Sequence, residues 1–108
     1  MEKVRLYVVD DEALPIRYFK SLLAGKEEKW DLIGEASNGR KAYQEILRLR
    51  PDIVFVDISM PVMNGLQLSE RLLYADPTLK IVLLSLYLDF EFAQKGILLG
   101  VSLYVLKH

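Results

Sequence analysis

Ile53-Val54-Phe55-Val56 is a run of four apolar residues with no polar residue among them, and it stops at a single charge, Asp57. Short, β-branched and aromatic, it reads as a strand buried on both faces, as in a parallel sheet. A carboxylate at its carboxyl end stands where open α/β sheets place their ligands. Met60-Pro61 and Asn64-Gly65 follow as turn residues, so the chain leaves the strand in a shaped loop. A strand of this kind needs neighbours on both sides and helices above and below it.

The rest of the chain supplies them. Val4–Val9 reads as a first buried strand, ended by Asp10-Asp11-Glu12. A helix is expected over 13–24, with Pro15 in its first turn and Ile16, Phe19, Leu22 and Leu23 along one face. Gly25 and the charged residues 26–29 form a solvated connection to a shorter strand, Trp30–Ala36, placed at the sheet edge. Asn38-Gly39 is a turn before a second helix over 40–49, with Ala42, Tyr43, Ile46 and Leu47 inward and a stop before Pro51. A third helix over 66–74 carries Leu66, Leu68, Leu72 and Leu73 and ends at Asp76-Pro77. Lys80–Ser85 is a fourth buried strand, and Asp89 can cap a fourth helix that runs through Leu99 to Gly100. Leu103–Leu106 is the fifth strand, ended by Lys107. Strands alternating with helices imply right-handed crossovers and a doubly wound parallel sheet.

Composition narrows the function. The 108 residues suffice for one domain, and with 52% of them hydrophobic the chain can bury a core. No apolar run approaches the roughly 20 residues of a membrane span. Charged residues interrupt the first segment too early for a signal peptide. There is no cysteine, hence no disulfide, thiol chemistry or cysteine-based zinc site, which fits a cytoplasmic location. A net charge of −1 and the lack of a basic face disfavour nucleic-acid binding by this domain. No glycine-rich phosphate loop follows the first strand, which disfavours a nucleotide site.

Four strands end in polar groups: Asp10-Asp11, Asp57, Ser85 and Lys107. In a parallel sheet all four reach the same edge. Carboxylates crowded within about 4–6 Å repel by roughly 1–4 kcal/mol per pair, so the cluster calls for a cation. All-oxygen ligands suit Mg²⁺, or Mn²⁺, rather than zinc. A divalent ion and an ammonium around a carboxylate stabilise a phosphoryl group in flight. Asp57 can then act as nucleophile and form an acyl phosphate, and Ser85 can donate to a phosphoryl oxygen. Each residue also has a plain structural role open to it: the acidic triplet as a helix start, Asp57 as a turn residue, Ser85 as a strand end, Lys107 as a solvated lysine and Tyr104 as core. Met60, Met63, Phe90 and Phe92 read as packing, and His108 as incidental.

The segments VVDDE at 8–12, PDIVFVDISMPVMNG at 51–65, IVLLS ending at Ser85 and GVSLYVLK ending at Lys107 are jointly specific. Through them the chain resembles the receiver domain of two-component response regulators over essentially its whole length. The resemblance implies a flavodoxin-like five-stranded sheet of order 2-1-3-4-5. It implies that Asp57 accepts a phosphoryl group from the phosphohistidine of a sensor histidine kinase, and that Asp10, Asp11, Asp57 and the backbone carbonyl of Ser59 surround Mg²⁺. It implies that Lys107 and Ser85 contact the phosphoryl group, and that Tyr104 turns inward as Ser85 moves, remodelling the surface that partners read. The domain would catalyse only its own phosphorylation and dephosphorylation, and would not act on the membrane.

Departures from the pattern carry expectations of their own. Leu86 stands where receivers usually carry Ala or Gly and could narrow access to Asp57. His108 stands where a cis proline usually positions the lysine; a non-proline cis bond costs about 2.5–4 kcal/mol, so a trans bond or a displaced Lys107 is expected. The chain stops after the fifth strand, so the fifth helix is missing from it, and residues 1–108 are expected to be a receiver domain cut from a longer protein whose output domain is not present. The uncovered face is expected to be closed by self-association into a homodimer. Residues 85–100, SLYLDFEFAQKGILLG, resemble receivers joined to AraC-type DNA-binding regions, pointing to transcription as the output. A haloacid-dehalogenase-type phosphatase is disfavoured because Ser59 stands where that family has a second Asp. A pseudo-receiver, an interaction module that is not phosphorylated, is the alternative that Leu86 and His108 keep open.

Overall fold

A computed structural model describes residues 3–60, 62–85 and 90–106. Nine elements alternate along it: β1 (Val4–Val9), α1 (Ala13–Leu23), β2 (Trp30–Ala36), α2 (Gly39–Leu49), β3 (Ile53–Asp57), α3 (Gly65–Ala75), β4 (Lys80–Ser85), α4 (Phe90–Leu99) and β5 (Leu103–Leu106). The strands form one sheet in the order β2-β1-β3-β4-β5. All four pairings are parallel. This is the doubly wound arrangement the alternation requires, with β2 at an edge as expected, although with 7 residues against 6, 5, 6 and 4 it is the longest of the five strands and not a shorter one. The β1–β2 pairing shifts register between Leu6 and Tyr7, where Ile33 is the extra residue. Gly34 stands opposite Tyr7 there because a Cβ would lie 2.7 Å from the Tyr7 ring.

The core forms on one side of the sheet. Val54, Val56, Ile81 and Leu83 are wholly buried, in one cluster with Tyr7, Val9, Ala42, Ile46, Leu68 and Leu72. Thus α2, α3 and α4 cover this face. On the opposite face Phe19 of α1 meets Phe55 with ring centroids 4.7 Å apart. Ile53, Phe55, Val82 and Leu84 remain only half-buried there. The burial expected for β3 on both faces therefore holds fully for Val54 and Val56 and partly for Ile53 and Phe55, because among the described residues α1 is the helix on their side. Leu22, expected on the inward stripe of α1, is 52% exposed. Ile16 and Phe19 carry that contact instead.

Helix ends follow local chemistry. Asn38 Oδ1 accepts from the Lys41 amide at 2.8 Å, so α2 starts at Gly39, one residue earlier than its apolar spacing suggested. Asn64 and Gln67 form a reciprocal capping box at the start of α3. Gly100, at φ 103°, ends α4: its amide donates to the Ile97 carbonyl and that of Val101 to the Gly96 carbonyl. At the end of α2, the Arg5 guanidinium donates to the carbonyls of Leu49 (2.8 Å) and Arg50 (2.9 Å).

Candidate functional site

At the carboxyl edge of the sheet, β1 and β3 are adjacent, and their ends bring the acids together. Asp10 follows β1; its amide donates to the Ala36 carbonyl at 3.1 Å, extending the pairing with β2. Asp10 Oδ1 accepts the Glu12 amide at 3.0 Å, which orients the carboxylate where the chain turns into α1. Asp57 closes β3, and its Oδ1 accepts the Ser59 amide at 3.2 Å. Asp10 and Asp57 are 1% and 3% exposed, while Asp11 is exposed. Each of the three offers a carboxylate oxygen, and these oxygens lie within 4.8 Å of one another.

That span is close to the ~4.2 Å between opposite ligands of an octahedral Mg²⁺ with bonds near 2.1 Å. A donor set of carboxylates alone selects hard cations. The residues present therefore fit Mg²⁺ or Mn²⁺. An open cleft of about 340 Å³ adjoins Asp10 and Asp11 and includes Arg17, Lys20 and Lys41 in its walls, so the acid pair can be reached from outside. Lys20 pairs with Glu35 at 2.7 Å across that cleft.

The loop after Asp57 is held tightly. The Ile58 amide donates to the Leu84 carbonyl at 2.9 Å, and the Gly65 amide returns to the Ile58 carbonyl at 3.0 Å. A Cβ at Gly65 would strike the Asp57 carbonyl oxygen and lie 2.8 Å from Ile58 Cα, so glycine is required by close backbone approach. The buried Ser69 hydroxyl donates to the Gly65 carbonyl at 2.7 Å. Val62, fully exposed, holds φ 68°, a region that β-branched residues rarely adopt. Ser59 lies on this loop and is exposed.

Ser85 ends β4 and is 3% exposed. Its predecessor Leu84 is the register partner of Asp57, which puts Ser85 at the strand tip next to the acid. Tyr104 pairs with Leu83 on β5 and packs, half-buried, against the core. Met60 lies in the core and Met63 packs against it, as expected. Lys107, Leu86, His108 and Asp89 lie outside the described residues. The sequence reading missed the backbone contributions, Ala36 to Asp10 and Gly65 to Asp57. Asn64-Gly65 signalled a turn, but a close approach between two backbones leaves no separate mark in the residue string.

The response regulator receiver domain family matches residues 6–108. The transcriptional regulatory protein YesN of Bacillus subtilis (strain 168) is 32% identical over 103 residues, covering 95% of this chain and 28% of its own. A second regulator of that organism, YvfU, is 33% identical over 104 residues, 96% of this chain and 52% of its own. The chain therefore spans about half, or less, of the length of these relatives. The REC domain of AraT, a response regulator from Geobacillus stearothermophilus, superposes with a TM-score of 0.86 at 32% identity, over 98% of this chain and 82% of that one.

Proposed function

Because the chain belongs to the response regulator receiver domain family, we propose that Asp57 accepts a phosphoryl group from the phosphohistidine of a sensor histidine kinase and that the domain passes this state to an output. The observation that carries the reading is the convergence of the Asp10, Asp11 and Asp57 oxygens within 4.8 Å at one sheet edge. Asp10, Asp11, Asp57 and the Ser59 carbonyl would hold Mg²⁺, which when bound offsets the negative charge shared by nucleophile and phosphoryl group.

An Asp57 carboxylate oxygen attacks phosphorus, the phosphorus–nitrogen bond breaks, and its electron pair leaves with the imidazole. The product is an acyl phosphate on Asp57. The Ser85 hydroxyl donates to a phosphoryl oxygen and the Lys107 ammonium pairs with another. Tyr104, seated beside the Ser85 strand, follows the hydroxyl inward and changes the surface of α4 and β5. A phosphoryl group adds roughly two negative charges and strong acceptors. Carrying a two-state surface from 1:99 to 99:1 takes about 5.5 kcal/mol of differential binding, which contacts from Ser85 and Lys107 can supply.

The output belongs to a longer protein. YesN and YvfU are named as transcriptional regulatory proteins, and residues 85–100 resemble receivers joined to AraC-type regions, which supports a DNA-binding output domain beyond this one. A cytoplasmic location fits this role; no helix among the described residues is long and apolar enough to cross a membrane.

The test is incubation with acetyl phosphate and Mg²⁺ followed by intact-mass measurement. One added phosphoryl group, absent without Mg²⁺ and absent in Asp57→Ala, is the expected result. An unchanged mass under conditions that label other receivers would leave the chain an unphosphorylated interaction module.

A further inference from the structure

The turn between β2 and α2 contributes none of the proposed ligands, yet it touches both halves of the acid cluster. On one side the Ala36 carbonyl accepts the Asp10 amide at 3.1 Å. On the other, buried Gly39, the first residue of α2, faces Met63 of the loop that follows Asp57. A Cβ at Gly39 would lie 2.8 Å from Met63 Sδ and 3.1 Å from both its Cβ and Cγ. The last two atoms are near the main chain, so the contact cannot be relieved by swinging the thioether end alone. Met63 is one residue from the Asn64 cap and two from Gly65, which abuts the Asp57 and Ile58 backbone. A push on Met63 is therefore transmitted to the segment carrying Asp57 and Ser59.

We propose that Gly39 and Met63 form a positioning contact by which the β2–α2 turn sets the separation of the Asp57–Ser59 half of the metal site from the Asp10–Asp11 half. This rests on the metal-site reading given above, and it adds a residue that touches neither ion nor phosphoryl group. Gly39 has no positive φ to preserve, so as a helix residue alone it would be neutral to, or improved by, alanine. The positioning role predicts the opposite sign.

Four proteins test it: wild type, Gly39→Ala, Met63→Ala and the double variant. Calorimetric Mg²⁺ titration measures affinity, and hydrogen exchange in metal-free protein reports the Ser59 and Gly65 amides. Gly39→Ala is expected to weaken Mg²⁺ binding about tenfold and to speed exchange at both amides. In the Met63→Ala background the same substitution should have a much smaller effect on both, since the side chain it displaces is gone. Gly39→Ala with unchanged affinity and exchange overturns the proposal. So does an effect undiminished in the Met63→Ala background, or faster exchange with unaltered Mg²⁺ affinity. If wild type itself binds no Mg²⁺, the metal-site reading falls, and this contact is judged by whether loop exchange follows the same double-variant pattern.

Discussion

Tyr7 is the largest fully buried side chain among the described residues, and its hydroxyl donates to Glu45 Oε1 at 2.6 Å. Burial, then the hydrogen bond to Glu45 and the negative charges of Glu45 and Glu35, push its ionisation well above the usual 10.0. A raised acid of this kind keeps its proton in the folded state while the unfolded chain loses it, so its contribution to stability is complete below pH 10 and falls as pH rises beyond. Tyr7→Phe should cost about 1–2 kcal/mol at neutral pH, read from the urea midpoint, because Glu45 loses its donor. The gap between variant and wild type should then shrink above pH 10. A constant gap across that range would show that Tyr7 titrates alike in both states. The signs of this residue were only half legible: an apolar run marked a strand at Val4–Val9, but the pairing of Tyr7 with a helix residue 38 positions away depends on how α2 crosses the sheet.

At the level of elements, α2 is fastened at both ends. Asn38 caps its start, and its last carbonyls meet the guanidinium of Arg5 from β1. Arg50 there holds φ 51°, the left-handed conformation in which helices commonly end. The Arg5 fork supplies donors that a surface helix would otherwise take from water, and the Arg5 amide donates to Asp52 Oδ2 at 2.7 Å on the next connection. Arg5→Met keeps the aliphatic stem and removes both side-chain bonds. It should destabilise by about 1–2 kcal/mol in urea unfolding, and Arg5→Lys, which cannot fork, should restore only part of the loss. An Arg5→Met variant as stable as wild type would mean that water caps these carbonyls equally well. The starts of α2 and α3 could be read from Asn38-Gly39 and Asn64-Gly65. The Arg5 cap could not, since nothing near residue 49 announces a partner from the first strand.

At the scale of the molecule, the sheet is unevenly covered among the described residues. Ile53, Phe55, Val82 and Leu84 are half-buried where the alternate residues of the same strands are sealed, and Leu103 at the start of β5 is 56% exposed. Apolar area of this kind favours association, so the chain should sediment as a concentration-dependent mixture of monomer and dimer. Phe55→Lys, placing a charge on that face, should shift it to monomer. A single monomeric species for wild type at millimolar concentration would refute the homodimer expected from the sequence. The residue string by itself determined the alternation of strand and helix, the parallel sheet and the polar stop at Asp57, because burial on two faces and single polar stops are local patterns repeated along the chain. Only the tertiary structure decided that Asp10, Asp11 and Asp57 offer oxygens within 4.8 Å, that Gly65 lies against the Asp57 backbone and that Gly39 meets Met63. Such distances arise where crossovers return chain segments far apart in sequence to one edge, and no single segment encodes the gap between two others.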